Sequence, residues 1–76
     1  MMADMSKWPD VKWTNEGYTA IVNGKRCNAV HDGLGKQWFA VVDGEIIAAF
    51  KDYLKARDAC EAFASGAMTR QEVKRL

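Results

Sequence analysis

The sequence contains no long apolar run, and it has only one proline, one histidine and two cysteines. No stretch approaches the ~20 apolar residues that a membrane-spanning helix requires. The first nine residues, Met-Met-Ala-Asp-Met-Ser-Lys-Trp-Pro, lack the apolar segment of a secretory signal. We therefore expect a cytoplasmic protein that has no membrane partner.

Side chains that carry metal or catalytic chemistry are equally scarce. Cys27 and Cys60 form no CxxC motif, and in a reducing compartment we expect two buried free thiols, with a disulfide between them as the alternative. A structural zinc needs four ligands, and these cysteines with His31 supply three at most. The chain also lacks a glycine-rich phosphate loop and a recognisable serine, histidine and acid set. The sequence predicts no catalytic residue, no metal site and no cofactor, and hence no enzyme.

Length and charge restrict the partners further. The 76 residues are expected to form a single domain over 1–76, too small to hold a deep cavity beside its core. Eleven basic and ten acidic residues leave a net charge of +1. This near balance gives no strong long-range attraction to a polyanion.

Two turn-forming dipeptides organise the middle of the chain. Asn23-Gly24 separates the β-rich residues 18–22 and 25–30, and Asp43-Gly44 separates 38–42 and 45–50. Both dipeptides tolerate the two positive φ angles of a type I′ turn, which joins strands through two residues. The pattern predicts two hairpins over 18–50, continuous as a three- or four-stranded antiparallel meander. Residues 1–12 show no periodicity and are expected to be extended.

Helical spacing follows the second hairpin. Asp52 is a predicted N-cap, and Gly66 is the predicted left-handed residue after the last turn. The apolar stripe between them comprises Tyr53, Ala56, Cys60, Phe63 and Ala67. Thr69 and Glu72 have the spacing of a capping box. We predict an α+β fold in which the sheet packs on one helix over 52–65, with a short second helix over 69–76.

The two-residue turns also predict which side chains share a face of the sheet. The first hairpin is expected to direct Tyr18, Ala20, Val22, Cys27 and Ala29 toward the helix. The second is expected to pair Val41 with Ile46 and Phe39 with Ala48, and to place all four and Phe50 beneath the helix. The opposite face would then carry Trp38, Ala40, Val42, Ile47 and Ala49, beside Ile21, Arg26 and Val30.

That second face is too apolar for a sheet with one solvent-exposed side. One explanation is intramolecular, with Trp8 and Trp13 folding across it. The other is a protein partner or a second copy of the chain, because exposed apolar patches mark interaction sites. The residues expected to contact a protein partner are Trp38, Ile47, Val42, Ile21, Arg26, Trp8 and Trp13.

The stretch from Gly35 to Ala64 resembles the sheet-and-helix unit of AP2-type and phage-integrase arm-binding domains. The matching pieces are residues 35–41, the Asp43-Gly44 turn, residues 49–52 and the alanine-rich segment 56–63. The resemblance implies that the outer face of the sheet enters the major groove of DNA and that the position of Trp38 contacts it. Here, however, the predicted outer face offers only Arg26, with Glu45 beside it, whereas phosphate and guanine contacts require several basic residues.

By size and type the chain is similar to the small inhibitors that phages direct against bacterial defence complexes, including anti-CRISPR proteins. The leading hypothesis is therefore a non-enzymatic protein-binding module, in the form of a phage-type inhibitor that acts by steric occlusion in the host cytoplasm. The alternative is a nucleic-acid-binding accessory module of the AP2 or integrase type. A homodimer whose apolar faces meet is the third possibility.

Overall fold

The computed structural model describes residues 12–76, which form a four-stranded antiparallel sheet packed on one long and one short helix. The strands follow in space the order that they have in the chain. The elements are β1 (Thr19–Val22), β2 (Lys25–Asp32), β3 (Gln37–Val42), β4 (Glu45–Phe50), α1 (Tyr53–Ser65) and α2 (Arg70–Val73). This arrangement confirms the predicted α+β class and the meander.

Both predicted hairpin turns are present. Asn23 and Gly24 have φ angles of 54° and 77°, and Asp43 and Gly44 have φ angles of 52° and 82°. These are the paired positive values of a type I′ turn, and the flanking strands pair directly on either side of each dipeptide. The twist of this turn matches that of the strands, which explains why two short dipeptides are sufficient to fold the middle of the chain.

The helix ends also agree with the sequence. The Asp52 side chain accepts a hydrogen bond from the Leu54 amide at 3.1 Å, and Gly66 closes α1 with a φ of 87°. Thr69 and Glu72 form the reciprocal capping box, so two amides at the start of α2 are satisfied. The second helix ends at Val73, which is three residues earlier than predicted.

The helix-facing side of the sheet was predicted correctly for the first hairpin and wrongly for β3. Ala20, Val22, Cys27 and Ala29 are buried as expected. On β3, however, it is Trp38, Ala40 and Val42 that point toward α1. Ala40 lies opposite Ala29 and Val42 lies opposite Cys27, and residues that oppose each other across a ladder share a face. The β2–β3 pairing, and not the turn of the second hairpin, therefore decides the orientation of β3.

A bulge on β4 changes the second hairpin again. Val41 lies opposite Ile46 as predicted. The preceding residue of β3, Ala40, lies opposite Ala48, so Ile47 has no partner on β3 and is the bulged residue. As a result Ile47 and Ala48 are both buried, with 1% and 7% of their surface exposed, whereas Ile46 is 55% exposed. The predicted pair of Phe39 with Ala48 is wrong by one residue for the same reason.

Small side chains allow α1 to lie close to the sheet. Its buried residues include Ala56, Ala59, Cys60, Ala62 and Ala64. The predicted stripe is only partly correct, because Tyr53 and Phe63 are half-buried and Ala67 lies exposed beyond the helix end. Within the described residues, neither helix is long and apolar enough to cross a membrane.

Candidate protein-binding surface

The side of the sheet that faces away from α1 is apolar and uncovered by any described element. We call this surface the outer face, and it comprises Ile21, Val30, Phe39, Val41, Ile46 and Ala49. Ile21 and Val30 are 58% and 44% exposed, beside the exposed Ile46. α1 contacts all four strands from the opposite side, and the Arg70–Glu45 ion pair of 2.7 Å joins α2 to that same side. The described chain therefore leaves this face open.

Cross-strand pairing makes the outer face continuous. Phe39 lies between Val30 on one side and Ala49 on the other, and Val41 is flanked by Asn28 and Ile46. Neighbouring side chains on one face of a ladder are in contact range, so these residues form one patch. Single exposed apolar residues are ordinary, whereas a contiguous patch of this kind is typical of an interaction site.

The end of the outer face near the two turns is polar. A cavity of about 630 Å³ is lined there by Ile21, Gly24, Arg26, Asn28, Asp43 and Gly44. The Asp43 carboxylate accepts a hydrogen bond from the Arg26 amide at 3.0 Å, which ties the second turn to β2. The apolar patch thus has a hydrogen-bonding rim, as protein interfaces do.

An aromatic cluster occupies the other end of the sheet. The Trp38 ring is stacked on Tyr18, with centroids 5.7 Å apart, and lies 5.0 Å from Tyr53 and 4.8 Å from His31. Tyr18 and His31 are exposed, whereas Trp38 and Tyr53 are half-buried. The cluster is built from the start of β3, the end of β2, the start of α1 and the loop before β1.

That loop, residues 14–18, holds an uncommon backbone conformation. Asn15, Glu16 and Gly17 have φ angles of 54°, 61° and 92°. The Thr14 carbonyl accepts hydrogen bonds from the amides of residues 17, 18 and 19, and the Tyr53 hydroxyl donates to the Gly17 carbonyl. The loop is therefore fixed on the aromatic cluster, and it places Glu16 at a cavity of about 190 Å³ lined also by Tyr18, Trp38 and Tyr53.

The structure separates the residues predicted to contact a partner. Ile21 and Arg26 lie on the outer face, where they were expected. Val42 and Ile47 lie in the core, 4% and 1% exposed, so their predicted placement on the outer face is wrong. Trp38 faces the helix side and belongs to the aromatic cluster. Trp8 lies outside the described residues.

Trp13 does not cover the outer face. Its indole N–H donates a hydrogen bond of 2.6 Å to the carboxylate of Glu61, which is buried on α1. The Arg57 guanidinium lies 5.0 Å from the centroid of the same indole. Both partners belong to α1, so Trp13 packs on the helix side, and the prediction that it folds across the second face is wrong.

Three residues of the outer face, Phe39, Val41 and Ile46, were not predicted to lie there. They were assigned to the core because Phe50 leads directly into α1. In the structure the inward Cys27 and Ala29 lie opposite Val42 and Ala40, so Phe39 and Val41 point outward.

Cys27 on β2 and Cys60 on α1 lie in the centre of the core, where the strand and the helix pack together. Both are free thiols and are fully buried. The Cys27 thiol lies 3.7 Å from the Cys60 carbonyl oxygen, and the Cys60 thiol lies 3.5 Å from that of Asn28. A hydrogen bond from the Cys60 thiol lowers the pKa of Cys27, and the same bond together with burial raises the pKa of Cys60. The predicted burial of both cysteines is confirmed.

This burial predicts thiol reactivity that depends on unfolding. In native protein, we expect Ellman's reagent to label neither Cys27 nor Cys60 on the timescale of labelling an exposed thiol, because both have 0% of their surface exposed. In denaturant, two thiols per chain should react at once. Rapid labelling of one native thiol, together with an unchanged circular dichroism spectrum, would contradict the buried placement.

Comparison with known proteins gives no relative from which a role could be transferred: no protein-family model, no curated protein and no solved structure matches the chain. Across residues 12–76, no three histidine, cysteine, aspartate or glutamate side chains are grouped as metal ligands would be. The two surfaces described above, the outer face and the aromatic cluster, are therefore the candidates for function.

Proposed function

We propose that the protein is a non-enzymatic protein-binding module whose outer face docks on a protein partner. One observation supports this proposal above the others. The outer face is a continuous apolar patch in which Ile21, Val30 and Ile46 are each more than two-fifths exposed. Burying such side chains contributes roughly 25 cal/mol of favourable free energy per Å² of apolar surface removed from water. The outer face therefore stabilises a complex most when the partner is a protein surface that excludes water from it.

The charges on the outer face favour a protein over a nucleic acid. Arg26 is the one basic side chain that the four strands contribute to it, because Lys25 points inward opposite Val22. Nucleic-acid interfaces obtain most of their affinity from several phosphate contacts. The apolar side chains of the outer face would make no phosphate contacts with a nucleic acid. In a protein interface, by contrast, they would surround an aromatic anchor such as Phe39 and exclude water from it.

The resemblance in size and type favours one form of this function, an inhibitor that occludes a surface of a host defence complex. Steric occlusion requires a rigid, continuous face and no chemistry. The outer face has that character, since it is carried by four hydrogen-bonded strands and not by loops.

The test uses variants that place a charge on the outer face. Val30→Lys and Ile46→Lys together should weaken binding to a partner isolated with the wild-type protein by at least 100-fold, because each lysine would be buried without a counter-charge. Leu34→Lys is the control for an added lysine, since it places one positive charge at a turn residue that is 98% exposed. Calorimetry with purified partner measures the affinities, and circular dichroism checks that each variant is folded.

Three outcomes would contradict the proposal. The first is a partner that binds wild type and the double variant equally. The second is a dimer, detected by sedimentation and dissociated by the same substitutions, which would assign the face to a second copy of the chain. The third is tight binding of random duplex DNA that weakens steeply with salt and is lost on neutralising Lys25, Arg26 and Lys36, which would favour the AP2 or integrase alternative. We expect no measurable DNA binding.

A further inference from the structure

The strand β2 extends beyond its neighbour β1. β2 has eight residues and β1 has four, and the last ladder pair between them is Thr19 with Asn28. One more hydrogen bond joins them, from the Ala29 amide to the Tyr18 carbonyl at 3.0 Å. Past that point the chain turns away into the loop of residues 14–18. The last residues of β2 therefore have a strand on their β3 side only, within the described chain.

The hydrogen bonds of Ala29 and Tyr18 show which backbone groups face this gap. In an antiparallel sheet, successive residues direct their N–H and C=O groups to alternate sides. Ala29 bonds toward β1, so the N–H and C=O of His31 point the same way. The Tyr18 amide, which would otherwise bond the Ala29 carbonyl, donates instead to the Thr14 carbonyl at 3.0 Å. Within residues 12–76, three backbone groups, one from Ala29 and two from His31, therefore face the gap without a strand opposite them.

The gap opens onto a surface cavity. A cavity of about 480 Å³ lies between the loop and β2, and its lining includes Asn15, Tyr18, Ala29, Val30 and His31. An exposed row of strand N–H and C=O groups is the template on which extended peptides add as a new strand. None of the described residues that line this cavity is a lysine or an arginine.

A residue that paired with His31 would direct its side chain to the helix side, because opposed residues share a face. On that side lies the smaller cavity lined by Glu16, Tyr18, Trp38 and Tyr53. Three aromatic rings and one carboxylate are the groups that attract a cationic side chain. Among residues 12–76, the one ion pair is Arg70–Glu45, so Glu16 has no basic partner there. One cation–π contact of this kind is present within the chain, where the Arg57 guanidinium lies 5.5 Å from the centroid of the Tyr53 ring.

We propose that the free edge of β2 at Ala29–His31 binds an extended peptide by strand addition, with a basic side chain of the peptide held by Glu16 and the Tyr18, Trp38 and Tyr53 rings. This site adjoins the outer face at Val30, and its occupant is defined by backbone pairing and positive charge. It does not depend on the function proposed for the outer face.

A synthetic peptide titration tests the site. The probe is a capped pentapeptide with arginine at its centre and threonine and valine on each side, chosen for its strand propensity. Nuclear magnetic resonance should show saturable shifts of the His31 amide and the Trp38 indole N–H, with slower exchange of the His31 amide in the complex. We expect a dissociation constant near the millimolar range, since few contacts are formed.

Two altered peptides and two protein variants serve as controls. Citrulline in place of arginine keeps the shape and removes the charge, and should weaken binding about three- to tenfold. N-methylation of the backbone amide that would donate to the His31 carbonyl should abolish it. Glu16→Gln should reproduce the citrulline effect without a change in fold, because Glu16 is exposed. Ile46→Lys, on the outer face, should leave the affinity unchanged.

The proposal is overturned by any of three results. No saturable shift at the highest soluble peptide concentration excludes the site. Shifts at Trp38 without protection of the His31 amide exclude strand addition. Equal affinity for the arginine and citrulline peptides excludes recognition of the positive charge.

Discussion

Replacing Ile47 with alanine should lower the free energy of unfolding by about 3 kcal/mol, whereas the same change at its neighbour Ile46 should alter it by less than about 0.5 kcal/mol. Ile47 is 1% exposed and is among the largest fully buried side chains, so its loss leaves a cavity into which the surrounding residues relax only in part. Ile46 is 55% exposed and loses little buried surface. Urea denaturation followed by circular dichroism measures both values.

The adjacent pair is informative because the two residues have the same side chain and differ only in the face that they occupy. Because Ile46 pairs with Val41, the faces of both isoleucines follow the orientation of β3. The orientation predicted from the sequence would place Ile46 inward and Ile47 outward. A larger loss at Ile46 than at Ile47 would therefore contradict the observed orientation of β3 and favour the predicted one. Equal losses would place both side chains in the core.

The parts of the fold that were predictable are those fixed by neighbouring residues. Asn23-Gly24 and Asp43-Gly44 determine their turns because few other residues tolerate two consecutive positive φ angles. Asp52 and Thr69 determine helix starts because their side-chain oxygens accept bonds from amides two or three residues later. Each of these signals depends on only a few neighbouring residues, so it can be recognised from the sequence alone.

The orientation of β3 depends on a longer-range match. The link between β2 and β3 is four residues long, 33–36, and it contains Lys36 with a φ of 55°. A shift of one residue in the pairing of β2 with β3 would turn every side chain of β3 to the other face. No single dipeptide in the link specifies which register forms, and both faces of β3 are apolar, so the hydrophobic pattern does not decide either.

The bulge on β4 is hidden from the sequence for a related reason. Residues 45–50 read Glu-Ile-Ile-Ala-Ala-Phe, which gives two apolar pairs in succession and no clean alternation. A bulge at Ile47 lets two successive residues of this run turn inward, which an alternating strand cannot do. It also distorts the ladder of an edge strand, which reduces pairing with other chains along that edge.

The candidate surfaces differ in how far the sequence could identify them. The existence of a second apolar face was predicted, and Ile21 and Val30 were placed on it because their positions follow from the turn of the first hairpin. Ala49 was placed there from an inverted β3 and an unbulged β4, two errors that cancel at this residue. The gap beside His31 was not predicted. It arises because the loop at residues 14–18 ends β1 early, and the φ angles of Asn15 and Glu16 that produce this turn have no strong sequence signal.

Replacing Gly17 with alanine should lower the free energy of unfolding by about 2–4 kcal/mol. Gly17 has a φ of 92°, which costs a residue with a β-carbon roughly 1–2 kcal/mol. The added carbon would also lie 2.5 Å from the Tyr53 hydroxyl, so that this group must shift and its hydrogen bond to Gly17 must break. The Tyr53 ring is held between Trp38 and Arg57, which restricts its movement.

Gly24→Ala separates the two causes, since Gly24 has a φ of 77° but no atom within 4 Å of an added β-carbon. The free energy of unfolding of Gly24→Ala should fall only by the backbone cost of roughly 1–2 kcal/mol. The thermal midpoint of Gly17→Ala should accordingly fall further, by roughly 4–8 °C for each additional kcal/mol in a domain of this size. Combining Gly17→Ala with Tyr53→Phe removes the hydroxyl that the new carbon meets, so the double variant should lose less stability than the sum of the two single losses. Additive losses would show that the hydroxyl of Tyr53 does not hold the loop against the aromatic cluster.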